Sequence, residues 1–437
     1  LNENLPRSTT MTLTGGKIWG EASESFLSTL KNNLSAGGKT YRPVSLWINW
    51  PVTDNSKQHL ILGGGEKFLH PNVDPSLLSG IMLNPMQQSE PSKIALFAGA
   101  QYTWKQWKSE EEAKKLNDVA FNFVENGHFE DSKVSAAFRE LGKHMINQNM
   151  DGRVVKLEES VELAPKLTDF MTKLKAGQDV TAERATLRAE FAKIKEAAEL
   201  YKASGDKKMV AQIHYWLDNA IDQMNALDAF LTGTEAMTTN DAAKLWDSYY
   251  KGLKLYEQSQ THTFHYVDHL EKAELGVQHI RPFILSLKEV LASEVQKVLH
   301  PDKIISTFIT NRTGVEGGLA EVTDGDLATH ALIKSPSSIK TGDYIGMKFN
   351  KPVDIQTLTF AMGTQANPHD TFSKAEVQYL DENDNWVTLK EPSYVGNESI
   401  LKFENLYIKA KAVRMVATEE RENTWFAVQE IAVNRQI

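Results

Sequence analysis

Three patterns, met in order along the chain, predict a multidomain protein: parallel β/α units of barrel type, an all-α helical bundle, and an all-β sandwich. Short apolar runs that break at proline just after a polar residue come first. Long stripes with apolar residues three and four apart follow. From about residue 301 the period falls to two. The expected domains are therefore 1–107, 108–300 and 301–437.

In the first region, residues 10–13 read as a short strand ending at Thr14-Gly15-Gly16, and a helical stretch covers 23–34. The strand at 44–48 leads into Asn49-Trp50-Pro51-Val52-Thr53-Asp54, and the one at 77–83 into Asn84-Pro85-Met86-Gln87, with a helix over 91–101. Between them, 59–62 and Gly63-Gly64-Gly65 read as a loop. Strand, then proline and a polar side chain, is how a parallel barrel presents site residues at the C-terminal rim of its sheet. A carboxylate, two carboxamides and two indoles there suit a sugar. The amides and Asp54 meet hydroxyls, and an indole face covers C–H surface. The alternative is that these are plain strand ends with Trp47 and Trp50 in the core.

The middle region opens on the acidic helix start Ser109-Glu110-Glu111-Glu112. Apolar spacing predicts helix over 157–176, and a longer stripe runs through Met209, Ile213, Trp216, Leu217, Ala220, Ile221, Met224 and Leu227. Another joins Phe283, Ile284, Leu287, Val290, Leu291, Val295 and Val298. Such stripes are core seams of a bundle. His262, His265 and His269 raise the question of a metal. His265 and His269 would share a helix face, but no Glu follows the first His as in the zinc-protease pattern, so none is expected.

In the last region 344–349, 355–360, 375–380, 386–389, 413–417 and 426–433 alternate well and are separated by turn clusters, which implies a sandwich.

Composition narrows the function. The chain has 437 residues, 41% hydrophobic and 24% charged, with a net charge of −9 and no cysteine. No basic block invites nucleic acid, no apolar run approaches the ~18 residues of a membrane span, and disulfides and thiolate chemistry are excluded. The opening Leu1-Asn2-Glu3-Asn4 is not a signal peptide, and without an initiator Met it reads as an internal start.

The Trp47-x-Asn49-x-Pro51-x-x-Asp54 and Asn84-Pro85-Met86-Gln87 patterns, with the run from Pro91 to Trp104, resemble glycoside hydrolase family 84. Its members are β-N-acetylglucosaminidases (O-GlcNAcases), often called hyaluronidases. The resemblance implies that the strands here are the sixth to eighth of a (β/α)8 barrel, and that the first five lie on a missing N-terminal part. It places Asp54 and Asn84 on sugar hydroxyls, Asn49 beside the acetamido group, Trp47 as the aromatic wall and Thr14 at the rim. It also implies substrate-assisted, retaining hydrolysis through an oxazoline, with two adjacent aspartates and no cofactor for catalysis. This sequence contains no Asp-Asp pair. No catalytic acid is therefore expected in this chain, and the chain alone should be inactive.

The segment 322–329 and the closing 425–433 resemble the discoidin or family 32 carbohydrate-binding module, in which a Thr-Asp-Gly-Asp loop holds structural calcium. Asp324, Asp326, Thr329 and Glu430 would be the ligands. The alternative is a plain turn. Phe372, Trp425 and Phe426 are either loop-borne sugar contacts or core.

The leading expectation is a secreted or cell-surface bacterial glycosidase that releases terminal β-linked N-acetylglucosamine from glycans or glycoproteins. The alternatives are a non-catalytic glycan-binding or scaffolding protein and a hyaluronan-degrading glycosidase.

Overall fold

The computed structural model describes residues 4–54, 59–146, 155–334, 338–389 and 399–435; the chain's opening residues 1–3 lie outside them. The chain forms two compact units, Leu1–Lys288 and Glu289–Ile437.

The first unit begins with a parallel sheet in the order β1 (Thr12–Leu13), β2 (Val44–Pro51), β3 (Leu78–Asn84). Leu13 pairs with Leu46, and Leu46 with Ile81. Helix α1 (Glu24–Ser35) is capped by Ser23, whose hydroxyl accepts the Phe26 N–H. Helix α2 (Ser89–Trp104) lies against β3 so closely that a Cβ on Gly99 would meet Leu83 Cδ1 at 2.5 Å. This parallel sheet with its helices is the α/β start the sequence predicts.

The helical region runs through α3 (Glu110–Asn126), α4 (Lys133–Gly142), α5 (Ala164–Lys175), α6 (Thr181–Ser204), α7 (Lys207–Thr239) and α8 (Ala242–Ser259). The α7 stripe is buried from Met209 through Ile213, Trp216 and Leu217 to Met224 and Leu227. Helix α5 begins seven residues later than its apolar spacing suggests, because Pro165 sits at its first turn, where a missing N–H costs nothing.

The expectation of continuous helix through the histidine cluster is overturned. Strands β4 (Thr263–Tyr266) and β5 (His269–Lys272) form an antiparallel hairpin with Tyr266 opposite His269. His265 and His269 therefore share no helix face. Helix α9 (Ile280–Leu299) buries Phe283, Ile284, Leu287, Leu291 and Val295, while Val298 is exposed.

The second unit is a sandwich. Strands β6 (Ser306–Thr310), β10 (Tyr344–Ile355), β12 (Ala375–Leu380), β13 (Trp386–Thr388) and β15 (Ile408–Ala417) form one sheet, ordered β13-β12-β15-β10-β6. The other contains β7 (Val315–Glu316), β8 (Ala331–Ile333), β11 (Leu358–Met362), β14 (Ile400–Phe403) and β17 (Phe426–Val433), ordered β14-β11-β17-β8-β7. A short ribbon pairs β9 (Ser338–Ile339) with β16 (Arg421–Glu422). Inward-facing residues such as Ile345, Phe360, Met415 and Ile431 form a single core. Phe372 and Phe426 belong to that core, with ring centroids 4.7 Å apart, which decides the question left open for them.

Phe360 is fully buried at the centre of that core. Phe360→Ala should lower the unfolding free energy of the second unit by about 3–5 kcal/mol, read from a shifted denaturant midpoint. A shift worth less than about 1 kcal/mol would mean the core refills the gap.

Candidate functional site

The ends of β2 and β3 build the site. Alternation along β2 sends Trp47 and Asn49 to one face and Trp50 to the other. Trp50 is fully buried. Its Nε1–H donates to the Gly63 carbonyl at 2.9 Å, and its ring stacks on Phe68 with centroids 6.3 Å apart. Gly65 lies under the indole, where a Cβ would sit 2.8 Å from Trp50 Cη2. The expected pair of indoles at the rim is thus corrected to one: Trp50 is core, and Trp47 is 41% exposed.

The pairing of β2 with β3 shifts between Ile48 and Pro51, so that Pro51 stands opposite Asn84. The extra residues re-aim the strand end, as bulges do. Asn49 becomes a hub. Its Oδ1 accepts from Trp47 Nε1–H at 2.8 Å and from Asn84 Nδ2–H at 3.0 Å, and its Nδ2 donates to the Ile18 carbonyl at 2.5 Å. Three partners fix which way the carboxamide faces. The structure therefore brings Trp47, Asn49 and Asn84 together.

Asp54 is exposed, and its Oδ1 accepts from the Tyr266 hydroxyl at 2.9 Å. Burial first, then the hydrogen bond and charge of Asp54, push the Tyr266 phenol up to about 12. Thr14 follows β1 at the same end of the sheet, without joining these bonds among the described residues. Gln87 Nε2–H donates to the His265 carbonyl at 2.7 Å. Sequence reasoning missed Tyr266; an aromatic, β-branched run from Thr263 to Val267 was its only local signal.

In the second unit, the loop around Asp324-Gly325-Asp326 is tied together by its own hydrogen bonds. Thr329 Oγ1 lies 2.8 Å from Asp324 Oδ2, 2.9 Å from the Asp326 carbonyl and 3.0 Å from the Glu321 carbonyl. One hydroxyl proton serves one of three acceptors, so this is a crowd of oxygens suited to a hard cation. Asp326 brings its backbone carbonyl; its own carboxylate accepts the Ala328 N–H at 2.9 Å. Buried Glu430 accepts the Gly325 N–H at 3.0 Å and pairs with Arg435. Burial raises the Glu430 carboxyl, against the opposing pull of Gly325 and Arg435. The Asp326 N–H, then the Thr329 hydroxyl, hold Asp324 below its usual range. Among the described residues, no three His, Cys, Asp or Glu side chains gather as metal ligands, so any cation here rests on the hydroxyl and the carbonyls as well.

Residues 1–142 match the family model described as beta-N-acetylglucosaminidase, 162–263 that of the hyaluronidase post-catalytic domain, and 306–431 that of the F5/8 type C domain. Over its first 142 residues the chain is therefore similar to β-N-acetylglucosaminidases. It is 25% identical to the solved structure CpGH84D, with a TM-score of 0.59, covering 66% of this chain and 46% of that one. A Thermobaculum terrenum O-GlcNAc hydrolase variant is 18% identical over 69% of this chain and 59% of its own, with a TM-score of 0.54, a likeness of fold. The chain thus spans about half the length of these structures. The β-N-acetylglucosaminidase match contains every rim residue except Tyr266, which lies beyond the post-catalytic match as well. Among the described residues no helix is long and apolar enough to cross a membrane.

His59, buried in the loop after Asp54, is held down to about 4 by burial and then by the Arg281 charge. Its folded pKa lies below its unfolded value of about 6.5, so the unfolded chain binds the proton first as pH falls. The stabilisation is complete above about pH 6.5 and is lost towards pH 4, up to roughly 3 kcal/mol. His59→Leu should flatten the fall in unfolding free energy over that window; an unchanged slope would assign it to other groups.

Proposed function

We propose that this chain supplies the sugar-gripping sector of a glycosidase that releases terminal β-linked N-acetylglucosamine. The observation that carries the reading is the Trp47–Asn49–Asn84 hydrogen-bonded rim on adjacent ends of two parallel strands, with Asp54 three residues past the end of β2. Asp54 and Asn84 take the sugar hydroxyls. Trp47 offers its ring to the C–H face. Asn49 serves the 2-acetamido group by exchanging Ile18 for substrate, with Thr14 at the rim.

In this mechanism the acetamido oxygen of the sugar attacks the anomeric carbon as the glycosidic bond breaks. A protonated aspartate gives its proton to the leaving oxygen, and water then opens the oxazoline with retention. The adjacent aspartate offsets the charge that develops on the acetamido group. Both belong to barrel strands beyond these three, since a closed barrel needs eight. On this reading residues 1–107 are a sector of the barrel, 108–300 the helical domain and 301–437 the carbohydrate-binding-type sandwich, in a secreted or surface protein. The natural partners are glycans or glycoproteins bearing N-acetylglucosamine, and catalysis needs no cofactor.

Residues 1–437 alone should not hydrolyse an aryl N-acetylglucosaminide; robust turnover by them would end the sector reading. With the barrel complete, Asp54→Ala should lower kcat/KM at least about tenfold, because a hydrogen bond to an ionised group is kept in the transition state. Asn84→Ala should cost less. Unchanged kinetics in both would remove these residues from the sugar.

We further infer that the loop of the second unit holds structural calcium through Asp324, Thr329, Glu430 and the carbonyls of Glu321 and Asp326. Such an ion would join the start of the sandwich to its last strand. Calcium at a hundred times its Kd adds about 2.7 kcal/mol to stability. Melting of the second unit should therefore rise several degrees between chelator and millimolar calcium, and Asp324→Ala should abolish the difference. Identical melting curves would leave the loop a plain turn.

A further inference from the structure

A phenol and a carboxylate meet across 212 residues of chain at the rim. The hairpin that delivers the phenol is held at its root by α7. Asn219, fully buried, donates from Nδ2 to the Ser259 carbonyl at 2.9 Å and accepts the Leu275 N–H on Oδ1 at 3.0 Å, so one side chain clamps both flanks. His262 meets Asp222 at 2.8 Å. Phe264, buried, packs on Trp216 with centroids 4.6 Å apart. Alternation along β4 then sends Tyr266 the same way as Phe264.

Among the described residues, two hydrogen bonds tie the hairpin to the segments that follow the strands. Tyr266 donates to Asp54, which follows β2, and the His265 carbonyl accepts from Gln87, which follows β3. Both segments carry the polar side chains of the rim. An exposed carboxylate samples several rotamers, and each wrong one must be given up when a sugar binds. A neutral phenol bonded to Oδ1 removes that freedom and still leaves Oδ2 to accept from a sugar hydroxyl. With its pKa pushed up to about 12, Tyr266 stays a donor at any working pH.

We propose that Tyr266 is a positioning residue of the glycan pocket: its phenol fixes the Asp54 carboxylate in the orientation that receives sugar hydroxyls, making the 263–272 hairpin part of the site. This rests on the assignment of Asp54 to the sugar. The helical region is then a supplier of pocket structure, and its attachment to the strand ends tunes affinity.

The test uses Tyr266→Phe, which keeps the ring against its neighbours and removes the hydroxyl, in the enzyme with its barrel complete. Hydrolysis of an aryl N-acetylglucosaminide should lose at least about fivefold in kcat/KM, mainly through a raised KM, with an unchanged melting temperature. In an Asp54→Ala background the same change should cost nothing further, a coupling that a purely structural tyrosine would not show. Equal or improved kcat/KM in Tyr266→Phe would overturn the proposal, improvement meaning that the phenol competes with the sugar for Asp54. A full additional loss in the Asp54→Ala background would overturn it too. If Asp54→Ala itself leaves the kinetics intact, the pocket assignment fails first, and the two failures are told apart by that variant.

Discussion

The burial of Trp50 is the constraint from which the rim follows. An indole enclosed by Phe68, Gly65 and the Gly63 carbonyl cannot turn without opening a cavity and orphaning its N–H. Its fixed direction sets the rotation of the whole end of β2. Trp47 and Asn49 must then point to the opposite face, where Asn84 arrives from β3 through the shifted register. The glycines of the loop at 63–65 are thus part of the pocket's construction although none of them faces it.

A second layer of order comes from the helices. Asn219 and Trp216 on α7, inside the post-catalytic match, hold a hairpin whose tip lies beyond that match and reaches the strand ends, so the face that meets solvent at the rim is shared by two distant stretches of sequence. A site of this kind cannot be divided between a catalytic half and a spacer. On the proposal that Tyr266 positions Asp54, mutations at the root of the hairpin act on the same carboxylate as mutations beside it.

Much of this was legible in the chain. The strand–proline–polar pattern located Asn49, Asp54 and Asn84 correctly at strand ends, and period-two alternation found the sandwich. Two readings failed for physical reasons present in the residues. Trp47 and Trp50 are three apart, an odd step that puts them on opposite faces of an extended strand. His265 and His269 are four apart, which suits a helix, but the β-branched and aromatic run around them favours strand. The turn between them bends at Val267 with φ of 53° and has no glycine or asparagine there to announce it. The Tyr266–Asp54 contact was not legible at all, because hydrogen bonding between distant segments leaves no periodic trace.

The 212-residue separation of Tyr266 from Asp54 has a consequence for synthesis. At roughly 5–20 residues per second, the tyrosine leaves the ribosome about 10–40 s after the aspartate. During that interval the strand ends exist without the hairpin that closes on them, and the nascent rim stays unfinished until the helices behind it have been made. The Tyr266–Asp54 contact can form only after those helices have been made, so the rim is completed late in the life of the polypeptide.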